Sequence, residues 1–137
     1  MNKENEMERV VTLADVQPQP VPEHEGHHGG RIWYIFNKDT IDTESLRMVL
    51  QEYAPGGYTE GHGSHIDREQ AYYIISGTMS VTIAGRQYIA GPGSFVYIPR
   101  GADHDHRNVG SDNLVFLLMV ASVRSGDVPP LRTEQKD

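Results

Sequence analysis

Gly93-Ser-Phe-Val-Tyr-Ile-Pro-Arg-Gly-Ala-Asp-His-Asp-His-Arg-Asn108 joins a turn, a strand, a corner and a histidine within sixteen residues. A glycine turn leads into the apolar run Phe95 to Ile98, a Pro99-Arg100-Gly101 corner follows, and the chain then presents His104. Glycine supplies left-handed backbone cheaply and proline fixes φ, so this reads as a strand delivered to a sharp corner. Upstream lies a second cluster, His62-Gly-Ser-His65-Ile-Asp-Arg-Glu69-Gln70, which runs into an apolar strand and Gly77. Imidazoles from two segments distant in sequence can meet at one mononuclear metal site. Imidazole ligates zinc, nickel, iron, copper and manganese alike, and three such groups plus one oxygen donor leave coordination positions open for a substrate.

The segment from Gly93 resembles the second motif of the cupin superfamily, G-x5-P-x-G-x2-H-x3-N, with Gly93, Pro99, Gly101, His104 and Asn108 at its fixed positions. The upstream cluster resembles the first cupin motif, G-x5-H-x-H-x3-4-E-x6-G, through His65, Gln70 and Gly77, with two departures. His62 and His65 stand three apart where the motif has two. On a strand, residues at i and i+3 face opposite sides, so both reach one ion only through a bulge at Gly63-Ser64, which is the expectation. The rival placement puts Gly63 at the first ligand position and leaves a site of His65, Gln70 and His104 completed by water. Gln70 stands where the motif has Glu; its amide oxygen can ligate, with one negative charge and one potential base fewer. Glu69 is the adjacent alternative, and alternation points it away from the face of Gln70.

The resemblance therefore implies one divalent transition metal (Fe, Mn, Ni, Cu or Zn) held by His62, His65, Gln70 and His104 inside a barrel whose mouth admits the substrate. His106 shares the face of His104, as a group beside the ion, a proton carrier or a rim histidine. Tyr72 shares a face with Gln70 and Ile74, as a lining residue or a core tyrosine with its hydroxyl bonded. These two are the candidate catalytic residues. Asn108 is read as holding the turn or the sheet.

Length suits one domain, since 137 residues can bury a single core. A hydrophobic fraction of 37%, with 14 glycines and 8 prolines, fits many short strands joined by tight turns. The absence of cysteine excludes disulfides and thiolate chemistry. A net charge of −7 without a Lys or Arg run argues against nucleic acid. Arg47, Arg68, Arg86, Arg100 and Arg107 remain available, singly, to an anionic ligand or to solvent. No apolar run is long enough for a membrane span and the N-terminal stretch lacks the apolar core of a secretion signal, so a soluble cytoplasmic protein is expected.

Along the chain, residues 1–30 read as a polar arm and loop in which His24, His27 and His28 could gather a metal of their own; the arm could instead add a strand to a neighbouring subunit. Residues 31–123 read as the barrel domain and 124–137 as a tail. Ile32 to Phe36 opens the strands, Asn37-Lys38-Asp39 turns, and Leu46 to Tyr53 leads to a Pro55-Gly56-Gly57 corner. Runs at 71–75, 79–83, 86–89 and 94–98 follow, and Leu114 to Val120 reads as a strand covered on both faces. No helix and no internal repeat is evident. The fold class is all-β, a double-stranded β-helix or jelly-roll barrel of the kind that includes cupins.

Since one scaffold hosts many chemistries, function must come from the site. The leading expectation is an enzyme using the metal on a small oxygenated substrate, in the first instance a dioxygenase-type oxidoreductase. The second is a non-redox isomerase, lyase or decarboxylase acting on a sugar acid or keto acid, with His106 or a carboxylate as base. The third is a barrel that binds a small molecule without chemistry. Cupins commonly pair, so a homodimer through the Ile32 to Phe36 edge is expected from the resemblance.

Overall fold

A computed structural model describes residues 9–61 and 63–122; the expected ligand His62, the start of the arm and the 124–137 tail lie outside the described residues. The elements are strands β1 (Gln19–Pro20) and β2 (His27–Phe36), a one-turn helix α1 (Lys38–Ile41), and strands β3 (Leu46–Thr59), β4 (Arg68–Ser76), β5 (Met79–Ile83), β6 (Arg86–Ala90), β7 (Phe95–Ile98), β8 (His104–Asn108) and β9 (Leu114–Ser122). All pairings are antiparallel, in the order β6-β5-β8-β3-β9-β4-β7, with β2 also on β3 and β1 on β2. This is the expected all-β jelly roll, a nearly closed barrel.

Its interior follows from the period-2 patterning of the strands. Cross-strand partners share a face. One inner row is therefore Arg47, Val120, Gln70 and Ile98; the next is Val49, Leu118, Tyr72 and Val96; Gln51, Phe116 and Ile74 form a third. Apart from Arg47, which stands exposed at the rim, the members of these rows are buried. Val115, Leu117 and Met119, on the other face of β9, are only partly covered, so the apolar run at 114–120 is a core strand with one deep and one shallow face.

Four local readings are corrected. The arm does not stop short of the barrel: β2 begins at His27, β1 pairs with it within the chain, and Val21 is buried in the core. The Gly29-Gly30 pair that suggested a loop is a site of close approach, where a Cβ on Gly30 would lie 2.8 Å from the Tyr53 ring and 2.5 Å from Glu52 O. The corner at Pro55 does not end a strand, because β3 continues to Thr59. Its first half pairs with β9, residues 54–57 are passed over in the register with β2, and Tyr58 then pairs with Arg107 of β8, so one strand serves both sheets. The 37–39 turn is the start of α1, where Asn37 Oδ1 accepts from the amides of Asp39 and Thr40.

Candidate metal centre at the barrel mouth

β8 delivers two imidazoles to the interior, since His104, His106 and Asn108 alternate inward and are all buried. The Asn108 amide explains why this strand is fixed. Its Nδ2 donates to Tyr53 O and Asp112 O, both at 2.9 Å, and its Oδ1 accepts from Gly110 N at 3.0 Å. Thr59 Oγ1 completes the clamp by accepting from His106 N at 2.9 Å and donating to Asp105 Oδ1 at 3.1 Å.

His65 lies in the loop between β3 and β4, not on a strand. Gly63 takes φ +78°, which breaks the extended chain, so the facing rule that called for a strand bulge does not govern this segment. The loop is tied to the Pro99 corner, with Gly101 N donating to His65 O at 2.8 Å and Arg100 Nη1 to Ile66 O at 3.0 Å. That tie brings the His65 and His104 rings together at 5.9 Å between centroids. His104 Nδ1 lies 3.1 Å from Ala102 O, an acceptor only, so the proton sits on Nδ1 and the buried Nε2 carries the lone pair. Burial first, then Arg68 and His104, lower the pKa of His65 and favour the neutral imidazole that a metal requires.

Gln70 sits at the same end, opposite Ile98 at the close of β7, which leads directly into that corner. Its Oε1 is buried with no hydrogen-bond partner among the described residues. Such an orphan acceptor costs about 1–3 kcal/mol, which an ion or a donor from a ligand offsets. Glu69 faces outward and accepts from the Tyr97 hydroxyl at 2.6 Å, as alternation requires. Among the described residues no three His, Cys, Asp or Glu side chains gather as a metal group; what meets is the His65 and His104 pair, with Gln70 opposite Ile98 at the same end of the barrel. The donor chemistry fits a divalent transition ion: two imidazoles and one amide oxygen.

Deeper in, His106 packs edge-on against Tyr53, Tyr72 and Phe116, with centroids 4.9, 6.0 and 5.2 Å away. Burial pushes the hydroxyl pKa of Tyr72 upward, so it stays a neutral phenol. A second polar group here was not legible from spacing. Tyr53 donates to Gln51 Oε1 at 2.9 Å and its oxygen accepts from His27 Nδ1 at 2.8 Å, which fixes the proton of neutral His27 on Nδ1. His24 and His28 go elsewhere, beside Glu25 at 3.9 Å and Glu60 at 3.0 Å, so the three arm histidines do not converge. Counting back by two from Tyr53 would have placed Gln51 inside; the irregular register at Gly29 hid His27.

A family model, the cupin domain, matches residues 49–120, more than half the chain, which therefore belongs to the cupin family. A germin-like protein of Oryza sativa subsp. japonica is 30% identical over 95 residues, 66% of this chain; the match covers only 42% of that relative's length. A predicted oxalate decarboxylase of Thermotoga maritima superposes with a TM-score of 0.75 at 20% identity, covering 83% of this chain and 99% of the other. The polyketide cyclase RemF of Streptomyces resistomycificus gives 0.69 at 22%, covering 96% and 88%. KdgF from Halomonas sp. gives 0.66 at 19%, covering 87% and 97%. At these identities the likeness is one of fold. No helix among the described residues is long and apolar enough to cross a membrane.

Proposed function

We propose that this cupin is an enzyme that uses one divalent transition metal, held by His65, Gln70 and His104, on a small oxygenated molecule entering by the barrel mouth. His62 joins the set as the fourth donor on its sequence spacing alone. The observation that carries this reading is the buried, unpartnered Oε1 of Gln70, at the barrel end where His65 and His104 face each other. Bound there, the ion would supply Lewis acidity or, if redox-active, activation of dioxygen.

The protein's own groups do the remainder. The Ala102 carbonyl holds the His104 tautomer. Tyr53, Tyr72 and Phe116 pack around His106 and keep bulk water from it. His106 is the group that takes or returns a proton, and the Tyr72 hydroxyl is a donor to the bound molecule.

The first reading is an oxidoreductase of the dioxygenase type. A second, non-redox reading is favoured by the fold neighbours described as a predicted oxalate decarboxylase and a polyketide cyclase, and would act on a keto acid or sugar acid. Elemental mass spectrometry of protein purified without tag or chelator tests the site. About one transition ion per chain supports it, and none after reconstitution leaves a binding barrel. Oxygen uptake by the loaded protein then separates the two chemistries, since the non-redox reading has none.

A further inference from the structure

Five arginines could meet an anion, and four of them have tasks within the fold. Arg68 Nε pairs with Asp67 at 3.2 Å, Arg100 donates to Ile66 O at 3.0 Å, Arg107 lies 4.4 Å over the Tyr58 ring, and Arg86 lies 5.4 Å over the Tyr88 ring. Arg47 has no hydrogen bond, ion pair or ring contact among the described residues. It stands in an inner row of the barrel; Arg68, two residues before Gln70 on β4, shares that face but is held by Asp67. Arg47 pairs with Val120 and Val120 pairs with Gln70, so Arg47 and Gln70 share the inward face two strands apart. Two strand spacings are roughly 10 Å, which an extended arginine and a small bound molecule span between them.

We infer that Arg47 anchors a carboxylate of the small molecule bound at the mouth, so that this cupin takes a carboxylic acid; this rests on the metal site proposed above. At the rim of a chain of net charge −7, the Arg47 guanidinium has no ion pair among the described residues; Arg68 stands beside it and the carboxylates of Glu25 and Asp67 act on it only through space, so it remains open to an arriving anion. Its planar fork matches two carboxylate oxygens. A phosphate would call for more than one uncommitted cation, and the neighbouring Arg68 is already paired with Asp67. Burial and the Arg68 charge lower the pKa of Arg47, a strain that an arriving carboxylate relieves. Arg47 is thus a specificity-determining residue.

The test is calorimetric binding of oxalate, malonate, succinate and pyruvate, with inorganic phosphate and oxamide as comparators, to metal-loaded and metal-free protein. Wild type, Arg47→Gln, Arg47→Lys and the remote Arg86→Gln are compared, with metal content measured for each. The expected result is tenfold or greater weakening of the best carboxylate in Arg47→Gln, roughly a charged hydrogen bond's worth. Partial recovery in Arg47→Lys, no change in Arg86→Gln and equal metal content in all four complete that result. Affinity in Arg47→Gln within twofold of wild type, or a wild type that binds phosphate or none of the acids, overturns it. Failure of the metal site shows separately, as wild type without stoichiometric metal. In that event, carboxylate binding lost with Arg47 still upholds the anchor.

Discussion

In the proposed site, Gln70 would couple stability to function. Its buried Oε1 is a cost to the metal-free fold, so Gln70→Leu should raise metal-free stability by about 1 kcal/mol, seen as a higher urea midpoint, while removing most of the melting-temperature gain that metal confers. His104→Ala should lose stoichiometric metal by elemental analysis, whereas Glu69→Ala, whose side chain bonds Tyr97 outside, should keep it. His27 carries the pH dependence. Burial lowers its pKa below the ordinary 6.5, His28 adds to this, and Glu25 and Asp105 oppose it. The unfolded chain takes the proton at higher pH than the folded one. The stability that neutral His27 contributes is therefore fully present above 6.5 and is lost as the pH falls below it. Urea midpoints measured from about pH 8 to pH 5 should fall, and fall less in His27→Gln.

Among the elements, β2, β3 and β8 show where sequence reading holds and where it stops. Period-2 alternation placed Gln70 and Tyr72 inside and Glu69 outside on β4, and put His106 beside His104 on β8, because a regular strand obeys its own period. It failed wherever glycine broke that period. At His65 the chain is a loop, and at Gly30 two strands approach too closely for any Cβ. Arg47 was visible as one arginine among five, and the register of β3 on β9, with the contacts that occupy the other four, separates it from the rest. Gly30→Ala should cost roughly 1–3 kcal/mol through overpacking against Tyr53. Asn108→Ala should cost a similar amount, roughly 1–3 kcal/mol, by leaving the Tyr53 carbonyl without its donor. Denaturant unfolding of both variants measures this, and the change in Asn108→Ala should appear without change in the slope on denaturant.

For the whole molecule, the pairing order places β9 inside the sheet, between β3 and β4, although it is the last described strand. Val120 of β9 is the link by which Arg47 and Gln70 enter one row. During synthesis, the segments carrying these two residues emerge long before the strand that aligns them. Until residues 114–122 leave the ribosome, the inner faces of β3 and β4 have no common partner. The nascent chain must keep Val49, Tyr53, Tyr72 and Ile74 from premature association, as expected of folds built on long-range pairing. The same late-arriving strand that seals the interior thus also aligns Arg47 with Gln70.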